Sequence, residues 1–190
     1  MNRVQLVFSG SGGQGVITAA ILLAEAAVLH EGINATQTQS YGAEARGGST
    51  RSDVILSDAA ILYPMVTQPN VVTCLTQEAY NKFAAIIRPG GLLLTDLKFV
   101  QTGKKADAKQ IELPMFQQVM DKIGNPIVYN ICVLGALAGI TDIVRPESLL
   151  AVLEQRVPAE LLAVNQRALD IGLVMGAQYQ YRVKGVNGRS

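Results

Sequence analysis

Residues 4–29 read VQLVFSGSGGQGVITAAILLAEAAVL. A short apolar run, Val4 to Phe8, is followed by four glycines in six positions, Gly10, Gly12, Gly13 and Gly15. From Val16 to Leu29 apolar residues then recur with few breaks over about four helical turns. The succession is strand, glycine turn, helix, a Rossmann-like first βα unit. Gly10, Gly12 and Gly15 also satisfy the G-x-G-x-x-G pattern of a dinucleotide-binding turn.

Outward from this unit the same alternation continues. Ile33 to Thr38 reads as a second strand, SDVILS (52–57) and Val71 to Leu75 as further ones, and LLLTD (92–96) as a buried strand. Gln77 to Ile87 places Ala79, Phe83, Ile86 and Ile87 at helical spacing, and RPGG with Gly90 and Gly91 closes that helix. KQIELP (109–114) reads as a strand and MFQQVMDKIG (115–124) as an amphipathic helix. Tyr129 to Tyr179 is helical by composition, with helix starts at Pro146 and Pro158. Strands alternating with helices predict a three-layer α/β/α fold around a mostly parallel sheet, with the helical C-terminal third packed on the same unit. A single domain over 1–180 and a flexible tail over 181–190 are expected.

The composition narrows the function. Of 190 residues 49% are hydrophobic, and 16 Lys and Arg stand against 15 Asp and Glu without gathering into a basic stripe, which argues against a nucleic-acid partner. The N-terminus has no signal-peptide pattern and no apolar run approaches the roughly 18 residues of a membrane span, so a cytoplasmic protein is expected. Cys74 and Cys132 sit in apolar surroundings as buried free thiols, no C-x-x-C pair exists, and His30 is the single histidine. Neither an iron–sulfur cluster nor a zinc site is assembled by ordinary ligand spacing, so no metal site is expected in this chain.

The glycine turn lacks the companion a dinucleotide needs. An acidic residue about 20 positions on, at the end of the second strand, normally takes the ribose hydroxyls. Here Thr38, Gln39 and Ser40 stand in that place, and no arginine suited to a 2′-phosphate lies beside them. The helix start at Gly13 to Gly15 still offers backbone N–H groups to a phosphate or carboxylate. RPGGLLLTD has the look of a methyltransferase strand, but the first loop carries no acid before its glycines, and no Gly-Lys-Ser or Gly-Lys-Thr completes a phosphate loop.

The other unusual segment is SYGAEARGGST (40–50), an ordered loop or lid by its lack of either periodicity. Tyr41, Glu44 and Arg46 stand there among small residues, Gly42, Gly47, Gly48 and Ser49, on a backbone able to approach another surface closely. GSGGQG (10–15), YGAEARGGSTRSDVILSD (41–58) and NICVLGALAG (130–139) together resemble the gamma subunit of 2-oxoacid:ferredoxin oxidoreductases, over nearly the whole chain. Pyruvate-type gamma subunits tend toward F-G-P-E-R-R-G-A in the loop. Y-G-A-E-A-R-G-G-S, with Tyr63-Pro64 downstream, looks more like the 2-oxoglutarate branch, although Ala43 replaces a proline often found there.

The resemblance implies oxidative decarboxylation of a 2-oxoacid with coenzyme A, giving acyl-CoA, carbon dioxide and reduced ferredoxin. It implies thiamine diphosphate on alpha and beta subunits, iron–sulfur clusters in the beta and delta subunits, and no cofactor bound by, nor any catalytic residue in, the gamma chain. Tyr41, Glu44 and Arg46 are then expected to hydrogen-bond across an interface that Gly42, Gly47, Gly48 and Ser49 let approach. The turn of Gly10, Gly12, Gly13, Gln14 and Gly15, with Arg46, is a second candidate, for the phosphates of coenzyme A. An indolepyruvate oxidoreductase subunit, a free-standing dinucleotide oxidoreductase and a plain interaction module remain alternatives.

Overall fold

A computed structural model describes residues 3–41, 49–103, 107–181 and 183, with Tyr41 described by its backbone alone. In chain order the elements are β1 (Val4–Ser11), α1 (Val16–Glu31), β2 (Asn34–Tyr41), β3 (Ser49–Ser57), β4 (Val71–Cys74), α2 (Gln77–Phe83), β5 (Gly91–Asp96), β6 (Ala108–Leu113), α3 (Met115–Lys122), α4 (Tyr129–Thr141), α5 (Pro146–Arg156) and α6 (Ala159–Gly176). Single 3₁₀ turns, Ala84–Ile86 and Pro126–Val128, extend α2 and lead into α4.

The strands form one sheet in the order β2-β3-β1-β4-β5-β6. β1, β4, β5 and β6 are joined by parallel ladders, whereas β3 runs antiparallel to both β1 and β2. Only β3 is reversed, so the sheet is mostly parallel as the alternating pattern predicts. The reversal separates β2 from β1, with β3 between them.

Period-two alternation divides the core between the two faces of the sheet. Val4, Leu6 and Phe8 of β1, Val54 and Leu56 of β3, and Leu92 and Leu94 of β5 pack with α1 and the C-terminal helices in one cluster. Val7, Val72, Cys74 and Leu93 point the other way, onto Ala79, Tyr80 and Phe83 of α2. The first face carries almost all the helical cover; the second is covered by α2 and its 3₁₀ extension. α4 is apolar on all sides because it is enclosed, with every residue from Tyr129 to Ala138 buried.

α4 and α6 approach unusually closely through glycines. A Cβ added to Gly135 would stand 2.2 Å from the Leu169 carbonyl oxygen, and one on Gly172 would stand 2.0 Å from that of Cys132. Gly139 and Gly176 repeat the contact one turn on, at 2.6 Å from the Leu173 oxygen and 2.3 Å from the Ala136 oxygen. Side chains there would push the helices apart.

Two strands run further than their hydrophobic pattern shows. β2 continues through Tyr41 and β3 begins at Ser49, so Gln39 to Tyr41 pair with Thr50 to Ser52, with Tyr41 opposite Thr50 and Ser40 opposite Arg51. Backbone pairing, not apolar side chains, holds these polar rungs. At the other end, Tyr181 donates its N–H to the Ile140 oxygen at 2.9 Å and Val183 is buried. The remaining residues of 181–190 lie outside the described set.

Candidate functional site

The C-terminal ends of β1, β4 and β5, the start of β3 and the first turns of α1, α2 and α4 meet at one edge of the sheet, the crest. In an open α/β sheet this edge is where ligands and partners meet the fold. Described residues of three segments singled out by sequence meet there.

Within the glycine turn, Gln14 folds its side chain back. Its Oε1 accepts the Ser11 N–H at 2.8 Å and its Nε2 donates to the Leu75 oxygen at 3.2 Å, stitching the turn to the end of β4. The position a Gly10 Cβ would take is 2.5 Å from Gln14 Oε1, so glycine there is what admits this fold-back. Gly15 caps α1 in the left-handed region at φ 70°, with a virtual Cβ 2.7 Å from the Asn130 side chain. Asn130 Nδ2 donates to the Gly15 oxygen at 3.4 Å. The GSGGQG and NICVLGALAG motifs are therefore in contact, α1 start against α4 start. Gly12 and Gly13 face open space, with nothing within 4 Å of an added Cβ.

Ser49 stands opposite Ser11 on the neighbouring strand, and its N–H donates to Glu78 Oε1 at 3.2 Å. The Ser49 side chain is buried and its Oγ has no partner. Thus both ends of the polar segment, the Tyr41 backbone and Ser49, are anchored at the crest. Gly42, Glu44, Arg46, Gly47, Gly48 and the Tyr41 side chain lie outside the described residues.

The dinucleotide reading fails on topology as well as on the missing acid. The acid of that site works because the second strand lies next to the first. With β3 inserted, the end of β2 lies two strand spacings from β1, about 9.5 Å away. Within the turn, the Ser11 N–H is already taken by the Gln14 side chain.

Beside the turn, sequence reasoning missed a buried carboxylate. Asp96, at the end of β5, is fully buried and accepts the Lys98 N–H at 2.9 Å, the Phe116 N–H at 2.8 Å and the Tyr129 hydroxyl at 3.0 Å. Burial pushes its pKa above the usual carboxylate range, against the pull of those three donors. Tyr129, whose own pKa is raised by burial, stacks edge-on with Phe99 and Phe116. Asp96 therefore ties the starts of α3 and α4 to the sheet and holds Asn130 against Gly15. The hint in sequence was an acid ending the apolar run LLLTD.

Asp96→Ala removes the acceptor of three donors, one of them the buried Tyr129 hydroxyl, and is expected to cost about 2 kcal/mol by denaturant unfolding. Because the folded carboxyl has the raised pKa, the folded state holds the proton more tightly, and stability falls as pH rises from the ordinary carboxylate range through the raised value. Asp96→Asn removes that slope, so its deficit relative to wild type should be larger near pH 4 than at pH 7.

The thiols do not suit a cluster. Cys74 and Cys132 lie in separate core clusters on opposite faces of the sheet, and burial pushes each up to about 12. Thiolates are what bind iron. Among the described residues no three His, Cys, Asp or Glu side chains are grouped to hold a metal ion, and no helix is long and apolar enough to cross a membrane.

Comparison with known proteins agrees with this geometry. The profile of the pyruvate ferredoxin/flavodoxin oxidoreductase family matches residues 5–174. The chain belongs to this family. It is 42% identical to 2-oxoglutarate synthase subunit KorC of Methanocaldococcus jannaschii, over 90% of this chain and 92% of that one. The gamma subunit of the keto/oxoacid ferredoxin oxidoreductase of Geobacter sulfurreducens superposes with a TM-score of 0.87 at 34% identity, covering 95% of this chain and all of that one. The 2-oxoglutarate:ferredoxin oxidoreductase of Magnetococcus marinus, with 2-oxoglutarate, coenzyme A and succinyl-CoA bound, contains the same fold at a TM-score of 0.84 and 22% identity. There the match covers 97% of this chain and 33% of that one. The chain is thus a subunit of a multi-subunit 2-oxoacid oxidoreductase.

Proposed function

We propose that this chain is the gamma subunit of a 2-oxoglutarate:ferredoxin oxidoreductase, which converts 2-oxoglutarate and coenzyme A to succinyl-CoA and carbon dioxide and passes two electrons to ferredoxin. The observation that carries this reading is the 42% identity to the M. jannaschii 2-oxoglutarate synthase subunit along nearly all of both chains. Thiamine diphosphate and the iron–sulfur clusters belong to the alpha, beta and delta partners in this reading. The protonated, separated thiols of Cys74 and Cys132 are consistent with that division.

What this chain contributes is shape and polar contact at the crest. The rigid turn held by Gln14 and Asn130 supports the base of the 41–49 segment, whose Tyr41, Glu44 and Arg46 meet the alpha and beta subunits, with Gly42, Gly47, Gly48 and Ser49 allowing close approach. The open backbone at Gly12 and Gly13, before a helix with no acidic residue in its first turn, suits the phosphates of coenzyme A at the entrance.

Substrate preference tests the reading. The assembled complex should show kcat/KM for 2-oxoglutarate at least tenfold above those for pyruvate and indolepyruvate. A preference for indolepyruvate would move the chain to that relative instead.

A further inference from the structure

The sheet ends in two edge strands of unlike character, β2 and β6. β6 is guarded: Lys109 is exposed on it, the exposed Asp107 precedes it, and Glu112 Oε1 accepts the Thr102 hydroxyl at 2.7 Å. Charges of this kind keep an edge from pairing with another strand, because pairing would bury them. β2 carries none. No charged residue occurs from Gly32 to Ala43, and the strand has no proline. It has no bulge either, since it pairs with β3 in unbroken register from Asn34 opposite Ser57 to Tyr41 opposite Thr50. Alternate residues of an antiparallel edge turn their N–H and C=O groups outward, and no described strand lies beyond β2. A regular, neutral edge of 8 residues is a template for one more strand.

The sequence of β2 indicates which strand. Thr36-Gln37-Thr38-Gln39-Ser40 reads almost the same in both directions about Thr38. Two antiparallel copies related by a twofold axis at Thr38 therefore set Gln37 opposite the partner's Gln39 and Thr36 opposite the partner's Ser40, on matching faces of the joined sheet. Amides meet amides and hydroxyls meet hydroxyls, each group being both donor and acceptor. Neutrality matters most in such self-pairing, because a charge near a twofold axis meets its own copy. The flanking surface is apolar. Beside Asn34 to Thr36, an open cleft of about 500 Å³ is walled by Val28, Ile33, Ala60 and Ile61, and the antiparallel arrangement carries the far end of the partner's β2 toward it. We infer that two copies of this chain pair through their β2 strands, continuing one sheet across both.

Sedimentation of the full chain over a range of concentrations tests this. The wild-type chain should form a dimer, and Thr38→Lys, which brings two ammonium groups together at the axis, should weaken it about tenfold or more. Thr38 is exposed, so the variant should melt as the dilute wild-type chain does. Thr38→Cys supplies an independent readout. Mild oxidation with diamide should join two copies through position 38, whereas Lys109→Cys on β6 should stay unlinked. Cys74 and Cys132 are buried and take no part. A wild-type chain that stays monomeric at its highest soluble concentration overturns the inference, as does a dimer that Thr38→Lys leaves intact. So does protection of the β2 amides from hydrogen exchange that arises only in the complete oxidoreductase complex, which would give this edge to another subunit.

Discussion

Gly172→Ala is expected to destabilise the isolated chain by about 3 kcal/mol or more, lowering its melting temperature by roughly 10 °C. The added methyl would lie 2.0 Å from the Cys132 oxygen and 2.6 Å from the Ala136 nitrogen, both backbone atoms of a helix buried on all sides. Neither can give way as a flexible side chain would, so α4 and α6 have to separate. α4 also carries Asn130, and its displacement withdraws the support beneath Gly15. Gly12→Ala is the matched control, with nothing within 4 Å of its Cβ, and should change stability by less than about 1 kcal/mol. Similar losses in both variants, by calorimetry, would show that the close helix contact is not what Gly172 serves.

Arg46→Ala should weaken assembly rather than folding. A guanidinium paired inside an interface leaves an uncompensated charge on the partner when it is removed, at about 3 to 5 kcal/mol, or on the order of a hundredfold to a few thousandfold in the dissociation constant. The melting temperature of the chain alone should stay within a degree or two. Titration against the partner subunits measures the first quantity, and steady-state kinetics on the assembled enzyme separates the second candidate role. A raised KM for coenzyme A with assembly unchanged would place Arg46 on the phosphates and not on the interface. An intact complex with unaltered kinetics would remove Arg46 from both.

Much of the architecture was legible in residue order. The apolar runs at Val4 to Phe8, Val71 to Leu75 and Leu92 to Asp96 each became a strand that starts within a residue of where pattern placed it, although β1 runs three residues further, through Ser11. Pro146 opens α5 and Pro158 stands just ahead of α6, because a fixed φ and a missing N–H suit a helix start. The direction of β3 was not legible. Period-two alternation reads the same in either direction, and the sequence between the two strands is polar and without periodicity. That one reversal is also what carries the end of β2 away from β1 and dismantles the ribose site, so the missing acid after Gln39 has a topological reason.

At the crest the motifs were visible in sequence, but their connections were not. GSGGQG and NICVLGALAG lie more than a hundred residues apart, and no local rule says that Asn130 should sit on Gly15. Gln14 read as one of the candidates for the phosphates of coenzyme A, yet its side chain bridges Ser11 and Leu75. Asp96 was hidden by its place at the end of an apolar strand, where burial and three donors only appear once α3 and α4 are folded over it.

The central claim is that this chain works only as one subunit of a 2-oxoacid oxidoreductase. The direct measurement is ferredoxin reduction by 2-oxoglutarate and coenzyme A, followed with this chain alone, with the partner subunits lacking it, and with the complete set. The account predicts reduction in the complete set and little in either part. Undiminished reduction when this chain is omitted, or nucleotide-dependent turnover by the chain alone, would contradict it.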